Sequence, residues 1–359
     1  MQQFFEMPLR VNGTRVWRTY KGGRELNRRD GDRQPQDTNF PEEWMFSTTR
    51  GINAGREELV EGICTLTDFP ATTLQQAIAE NPAAMLGKTH FEKWGANLGV
   101  LVKQIDSAER LTVQVHPNHA MAEKLFHSQF GKTECWHILS VREDGPEPPC
   151  LYLGFQEGIT KAAWQDCFER QDYPAMLALL HRFEVHAGET YLVAGGVPHA
   201  IGAGCMLIEV QEPTDYTIRV EKVTPSGQTI AASQCHQGLG FDKMFDCFSY
   251  EGLSYAQTKQ KWCINPRKTS NGVQLVGYQD TPCFQMQRLR ITEQTAMHAA
   301  EGYYCLYVLK GSGMLQCGSR KYQMQENTQL FVPAGSAIFR IKPDTNSTLT
   351  LLQIYGPQG

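Results

Sequence analysis

Short apolar runs separated by turn residues recur along this chain of 359 residues. Runs such as ECWHILSV, CMLIEVQEP and YYCLYVLKG have the length of β-strands, and glycine or proline often follows them. The 32 glycines and 18 prolines are spread along the whole chain, so turns are expected throughout. Many short strands joined by such turns predict a β-sandwich or β-barrel rather than a doubly wound α/β fold.

Helical segments are few and lie between these strand-like runs. Residues 72–86 combine a threonine cap with good helix formers, and Pro82 interrupts them. The stretch after Pro117 and the stretch that begins at Thr160 are also expected to be helical. We therefore predict a mainly β protein with short helical insertions.

Composition excludes several classes of protein. The 34 basic and 38 acidic residues give a net charge of −4, without the basic excess that non-specific nucleic-acid binding needs. No apolar run approaches the ~18 residues of a membrane span, and charged residues interrupt any secretory signal at the N-terminus. The eleven cysteines show no C-x-x-C spacing, so we expect free thiols in a reducing cytoplasm. Metal chemistry would then depend on histidine, carboxylate or amide side chains.

Two distant segments share one spacing and predict the same strand–turn–strand unit. In the first segment five residues separate Gly188 from the turn AGG, and His199 follows that turn. In the second segment five residues separate Asn327 from the turn PAG, and Ile338 takes the position of the histidine. The chain therefore uses one structural unit twice, once with a histidine and once without.

Four side chains form the most informative set for function. Gln114 and His116 are two residues apart in the run LTVQVHP, so both point to the same face of a strand. Glu134 begins a later strand run, and His199 follows the AGG turn. If these strands converge, two imidazoles, a carboxylate and an amide oxygen would bind a divalent cation. A single carboxylate would leave that ion with about one net positive charge, able to polarise a substrate oxygen.

The set is informative only as a whole. A lone histidine on a strand is more often a core or surface residue than a metal ligand, and this chain has ten histidines. His137 lies three residues after Glu134, so it should face the other side of that strand and pack there.

The motifs that contain these residues resemble a known family. The pattern G-x5-[PA]-x-G-x-x-H that ends at His199 resembles the second cupin motif. The strings QVHP and GKTE, together with PHAIGAGCMLIEVQEPTDYTIRV, resemble the type I mannose-6-phosphate isomerases, also called phosphomannose isomerases. The strings VKQID and PEEWMFSTTRGIN match as well. The resemblance runs from about residue 8 to residue 221 and continues more weakly through residues 303–341.

This resemblance implies a fold of two cupin-like jelly-roll β-barrels with short helical insertions. Residues 1–240 would form the catalytic, metal-binding domain, and residues 241–359 would form a second cupin-like domain. Because Ile338 replaces the metal-binding histidine, the second domain is expected to lack metal ligands and to brace the first.

The resemblance also implies the residues of an active site. Zinc would be held by Gln114, His116, Glu134 and His199. Arg219 would reach the active site as the catalytic cation, and the substrate would contact Lys103, Thr112, Lys132 and Glu209. Either Glu209 or Asp215 could carry the proton during isomerisation.

The leading hypothesis is a cytoplasmic zinc-dependent isomerase that interconverts mannose 6-phosphate and fructose 6-phosphate through an enediol. It would act as a monomer or homodimer on a sugar phosphate, without nucleic-acid or membrane partners. Ala194 and Pro198 depart from the family pattern near the pocket, so an isomerase of another or unphosphorylated aldose is the first alternative. A metal-dependent dioxygenase would usually have more histidine ligands, and a non-catalytic sugar-binding cupin ranks last.

Overall fold

A computed structural model describes residues 4–145, 147–299 and 302–358. Within these residues the chain forms 24 strands, nine α-helices and two short 3₁₀ helices, Phe4–Glu6 and Lys243–Cys247. The predicted mainly β class is confirmed.

Strands in the first half are β1 Leu9–Asn12, β2 Thr14–Val16, β3 Glu42–Met45, β4 Thr65–Leu66, β5 Phe69–Thr73, β6 Leu101–Asp106, β7 Gln114–Val115, β8 Glu134–Val141, β9 Cys150–Phe155, β10 Leu180–Glu184, β11 Thr190–Val193, β12 His199–Ile201, β13 Cys205–Gln211 and β14 Ile218–Arg219. Strands in the second half are β15 Arg267–Lys268, β16 Gly272–Val276, β17 Gln285–Ile291, β18 Thr295–Met297, β19 Tyr304–Lys310, β20 Gly313–Cys317, β21 Arg320–Met324, β22 Gln329–Val332, β23 Phe339–Pro343 and β24 Leu349–Tyr355. The helices are α1 Arg24–Arg29, α2 Leu74–Glu80, α3 Pro82–Leu86, α4 Lys88–Trp94, α5 His119–Phe126, α6 Lys161–Arg170, α7 Tyr173–Ala178, α8 Ala232–His236 and α9 Tyr255–Trp262.

Two facing sheets build the first half of the chain. One has six strands in the order β11-β8-β13-β6-β3-β2, and the other has five in the order β10-β9-β12-β7-β14. Buried side chains such as Ile105, Trp136 and Leu153 fill the space between them. Gln104, the residue before Ile105 in β6, instead points out of the sandwich, because successive residues of a strand alternate between its faces.

A second sandwich follows in the second half. Its four-stranded sheet, in the order β18-β23-β20-β21, packs on a nine-stranded sheet in the order β15-β16-β17-β24-β19-β22-β1-β4-β5. Leu306, Leu315 and Phe339 lie in the core between these sheets. The N-terminal strand β1 joins this nine-stranded sheet, with Leu9 opposite Phe331. Among the described residues, each half is thus a jelly-roll-type sandwich of two separate sheets rather than a closed barrel.

The two sandwiches pack back to back. Val102 and Ile208, on the outer face of the six-stranded sheet, belong to the same core cluster as Cys305, Phe331 and Ile354 of the nine-stranded sheet. The second half therefore supports the sheet whose other face lines the interior of the first sandwich. The side-chain amide of Gln104 also donates a hydrogen bond to the Tyr307 hydroxyl across this interface, at 2.9 Å.

The predicted helices are present, although α5 ends at Phe126, before the glycine at position 131 that the sequence offered as its stop. Thr73 caps α2 in a capping box, and Asn81 caps α3, which starts at Pro82 and so divides the predicted segment into two. Thr160 caps α6, whose apolar side chains Trp164 and Phe168 pack in a cluster that covers the outer face of the five-stranded sheet.

Two further properties concern the cysteines and the helices. All eleven cysteines lie in the described ranges as free thiols, and all but Cys263 are buried. Among the residues that the structure describes, no helix combines the length and the apolar character needed to cross a membrane.

The junction between the sandwiches should carry a large share of the stability. Phe331→Ala is expected to lower the free energy of unfolding by about 3–5 kcal/mol, because it leaves a cavity in that buried cluster. Ile338→Ala, at a position that is 63% exposed, should change it by less than about 0.5 kcal/mol. Urea denaturation followed by circular dichroism measures both variants, and equal effects would contradict this packing account.

Candidate metal centre and active site

Strand pairing in the five-stranded sheet brings three of the predicted site residues into one row. On β7, Gln114 lies directly opposite His199 of β12 on one side and Arg219 of β14 on the other. Residues directly opposite each other in a sheet project from the same face, so all three point into the sandwich. His116 follows two residues after Gln114 and lies beside His199, as the spacing predicted.

The facing six-stranded sheet supplies the acidic and lysine side chains. Glu209 of β13 pairs in register with Lys103 of β6 and with Trp136 of β8. Glu134 lies two residues before Trp136 and therefore shares its inward face. His137 faces away, as predicted, and its ring contacts the Thr190 hydroxyl at 2.9 Å.

His116, Glu134 and His199 converge on one buried point. The two imidazole Nε2 atoms lie 3.2 Å apart, and Glu134 approaches them with one oxygen 3.2 Å from His116 and the other 3.4 Å from His199. All three side chains are about 1% exposed. Nitrogen and carboxylate atoms grouped in this way could hold a divalent metal ion.

Hydrogen bonds orient both imidazoles for this task. Nδ1 of His116 lies 2.8 Å from the Tyr216 carbonyl, and Nδ1 of His199 lies 2.8 Å from the Val197 carbonyl. A carbonyl can only accept, so each Nδ1 carries the proton and each Nε2 offers a lone pair to the centre. Burial, reinforced by nearby Lys132, lowers the pKa of His116 well below its usual value, and burial also lowers the pKa of His199. Both rings are therefore neutral, as metal ligands must be.

The carboxylate of Glu134 lacks the partners that a buried charge requires. No hydrogen-bond donor among the described residues satisfies either oxygen, although the Lys132 amine lies 3.7 Å from one of them. A buried carboxylate without a hydrogen-bond donor is unfavourable even beside a lysine, whereas a divalent cation between Glu134 and the two imidazoles would bind both of its oxygens. The donor set therefore fits a metal ion.

Gln114 lies at the edge of the same cluster. Its amide nitrogen is 3.3 Å from Nε2 of His199, so the carboxamide already faces the centre. Turning the amide over exchanges nitrogen for oxygen without changing its shape and would present the acceptor that a metal needs. Gln114 is thus adjacent to the three convergent ligands, and its role as a fourth ligand stays a prediction.

Lys103 and Glu209 form a buried ion pair next to the metal cluster. The Lys103 amine is 3.0 Å from Glu209, and the Trp136 indole donates a hydrogen bond to the other carboxylate oxygen at 3.1 Å. Burial and the neighbouring charge of Glu134 raise the pKa of Glu209. Although burial opposes it, Glu209 raises the pKa of Lys103, which stays charged.

An arginine that the sequence analysis did not single out completes the pocket. Arg18 donates to Glu42 at 3.0 Å, and two of its nitrogens reach the two oxygens of Asp215 at 3.3 Å. Despite the opposing effect of burial, Arg18 and Lys103 hold the pKa of Glu42 at about 2. The signal available in the sequence was the charged pair at the start of the strand EEWM, since acidic residues inside a buried strand require partners.

The predicted substrate residues surround a narrow cavity beside the cluster. This cavity has a volume of about 50 Å³, and its lining includes Lys103, Thr112, Gln114, Lys132, Glu209 and Arg219. An outer cavity of about 400 Å³ shares Arg18, Thr19, Asp215 and Arg219 with it. Arg219 is held at this shared wall by hydrogen bonds to the carbonyls of Thr217 and Gln234, at 3.3 and 3.0 Å, and it pairs with no carboxylate among the described residues.

Fold and site together define a cupin-type protein with a buried nitrogen-and-oxygen cluster beside a highly charged pocket. Residues 17–133 match the catalytic domain of type I phosphomannose isomerases. A mannose-6-phosphate isomerase of Streptococcus mutans is 25% identical over 331 residues, which cover 89% of each chain. The mannose-6-phosphate isomerase ManA of Bacillus subtilis is 23% identical over 248 residues, 69% of this chain and 73% of the relative.

Solved structures agree on the fold. The crystal structure of a mannose 6-phosphate isomerase from Bacillus subtilis superposes with a TM-score of 0.71 at 21% identity, covering 98% of this chain and 100% of the other. The matches confirm the resemblance to the type I phosphomannose isomerases that was predicted from the sequence.

Removing one imidazole should empty the metal cluster while leaving the fold intact. Losing a residue that only hydrogen-bonds a metal ligand typically lowers metal affinity about 10–100-fold. His116→Ala removes a proposed ligand itself, so we expect the affinity for zinc at this cluster to fall by more than that. His137→Gln, three residues from Glu134 on the opposite face, should retain it. Metal analysis after dialysis measures both variants, and unchanged metal in His116→Ala would exclude this cluster as the binding site.

Proposed function

We propose that this protein is a zinc-dependent aldose–ketose isomerase that interconverts mannose 6-phosphate and fructose 6-phosphate through an enediol. The observation that carries the proposal is the convergence of His116, Glu134 and His199, with atoms 3.2–3.4 Å apart, beside a pocket lined by basic side chains. The names and similarity of the relatives support the substrate.

We assign the metal site to Gln114, His116, Glu134 and His199. When bound, a divalent ion would act as a Lewis acid that stabilises negative charge on a substrate oxygen without any redox step. The two histidines and the glutamine are neutral ligands, so Glu134 alone would offset the ion's charge and about one net positive charge would remain available for this purpose.

The charges of the pocket favour a phosphorylated sugar. Apart from the ion pair of Arg110 with Glu221, the inner cavity and metal cluster contain four basic and four acidic side chains, which are Arg18, Lys103, Lys132, Arg219, Glu42, Glu134, Glu209 and Asp215. A divalent cation would therefore leave two positive charges, which a phosphate dianion would balance. The phosphate end would extend into the outer cavity, because the inner cavity of about 50 Å³ is too small for a whole sugar phosphate.

Isomerisation also needs a group that moves a proton between adjacent carbons. Of the two carboxylates considered, Glu209 suits this role better, because burial and Glu134 raise its pKa. Although burial acts in the opposite direction, Arg18 lowers the pKa of Asp215 and holds that carboxylate in the charged form. Arg219 would add positive charge beside the sugar oxygens that become negative in the transition state.

Other predictions complete the proposal. We propose that the protein works in the cytoplasm, where its eleven free thiols would stay reduced. It would act as a monomer or homodimer, with residues 1–240 as the catalytic domain and residues 241–359 as the bracing domain.

Metal dependence and phosphate preference can be measured together. Chelator-treated protein should lose turnover of mannose 6-phosphate and regain it with zinc or cobalt. The value of kcat/KM for mannose 6-phosphate should exceed that for free mannose by at least about 100-fold, since charged hydrogen bonds to phosphate contribute about 1.5–3 kcal/mol each. Better turnover of free mannose or of another aldose would favour the alternative isomerase, and undiminished activity without metal would contradict the proposal.

Arg219 should act in the chemical step rather than in metal binding. Arg219→Ala is expected to lower kcat about 10²–10³-fold, the usual effect of losing one preorganised charge stabiliser. Its zinc content should stay unchanged. Arg182→Ala, which removes a partly exposed arginine on β10 outside the pocket, is the matched control and should keep full activity. Full activity in Arg219→Ala would remove this arginine from the mechanism.

A further inference from the structure

A second group of ligand-type side chains lies at the junction of the two halves. His119 opens α5, Glu212 follows β13, and Cys283 precedes β17 of the second half. Nε2 of His119 is 2.6 Å from a Glu212 oxygen and 3.8 Å from the Cys283 sulfur. The three ligand atoms all lie within 4.8 Å of one another, and Glu212 and Cys283 are buried.

The geometry differs from that of a cysteine–histidine–acid catalytic triad. In such a triad one ring nitrogen faces the nucleophile while the other faces the acid, so that a proton can pass through the ring. Here Glu212 and Cys283 both approach the same nitrogen of His119. Nε2 of His119 donates its proton to the Glu212 carboxylate, and a cation that replaced this proton could be shared by the nitrogen, the carboxylate and the cysteine sulfur.

We propose that His119, Glu212 and Cys283 form a second divalent metal site with the preferences of zinc. Zinc binds imidazole nitrogen, carboxylate oxygen and thiolate at about 2.0–2.3 Å, which places the ligands of a tetrahedral ion roughly 3.3–3.7 Å apart. The His119–Cys283 distance of 3.8 Å is close to this range, and the 2.6 Å contact between His119 and Glu212 would have to lengthen when an ion replaced the proton between them. The thiolate would select zinc over magnesium or calcium. A cavity of about 200 Å³ borders the cluster, and the His119 side chain is 49% exposed. Water can therefore fill the fourth position.

The site would connect the second half of the chain to the active-site segment. The oxygens of Glu212 also accept hydrogen bonds from the backbone amides of Gly131 and Thr133, at 3.1 and 2.9 Å. These two residues flank Lys132, and Glu134 follows directly. An ion held between Glu212 and Cys283 would thus fix the loop that carries both active-site side chains to the bracing sandwich.

Cobalt distinguishes this site from the first one. A thiolate bound to Co²⁺ produces an intense charge-transfer band in the near ultraviolet, whereas the ligands proposed for the first site contain no sulfur. Under reducing, oxygen-free conditions the whole protein should bind two equivalents of Co²⁺ and show this band. Cys283→Ser should bind one equivalent without the band, and His116→Ala should bind one equivalent with it.

Matched variants control for folding and for adventitious thiols. Cys317→Ser removes a cysteine that is 8% exposed, close to the 7% of Cys283, and should keep both ions and the band. His119→Asn should lose the band even if Cys283→Ser fails to fold. A wild-type protein that shows no band, or a band that persists in Cys283→Ser, would overturn the proposal. The band is read independently of turnover, so it tests this site even if the proposed isomerase activity fails.

Discussion

A buried carboxylate that faces two imidazole lone pairs is the arrangement on which the rest of this structure depends. The oxygens of Glu134 have no hydrogen-bond donor among the described residues, and Nε2 of both His116 and His199 points at them. Protein interiors rarely contain such a group, because burying a carboxylate without hydrogen-bond donors is costly. A divalent cation at this point would offset that cost, and the surrounding strands hold the three ligands where the ion would need them.

The two sandwiches explain how the ligands are held. Gln114, His199 and Arg219 project from one sheet, while Glu134 and Glu209 project from the sheet opposite. The second of these sheets is packed from behind by the nine-stranded sheet, through a continuous apolar cluster. Side chains on well-packed strands lose little freedom when they bind, which suits a preorganised site. The second half can therefore hold Glu134 and Glu209 in position although none of its own residues belongs to the metal cluster of the first half.

Much of this architecture could be predicted from local sequence, and the reasons are physical. The alternation in LTVQVHP placed Gln114 and His116 on one face, whereas the meeting of His116 with Glu134 and His199 was implied by the family resemblance and not by local spacing. The glycine and proline turns predicted the mainly β class, because they limit strand length. Strand alternation and the positions of turns are properties of short segments, so the local sequence is enough to predict them.

Contacts between distant segments were beyond such reasoning. Arg18 and Asp215 are separated by 197 residues, and no local pattern indicates that they pair. The same holds for β1, which crosses to the sheet of the second half, and for Cys283, which meets His119. Such pairings follow from strand order and sheet twist, which arise only when the whole chain folds.

The most direct test of the central claim is anomalous diffraction from crystals of the zinc-loaded protein, measured on both sides of the zinc absorption edge. The account predicts a peak bonded to Nε2 of His116, Nε2 of His199 and the Glu134 carboxylate at about 2.0–2.2 Å, with the Gln114 amide oxygen as the fourth ligand. A map without a peak between these side chains, or with the three groups turned away from one another, would contradict it.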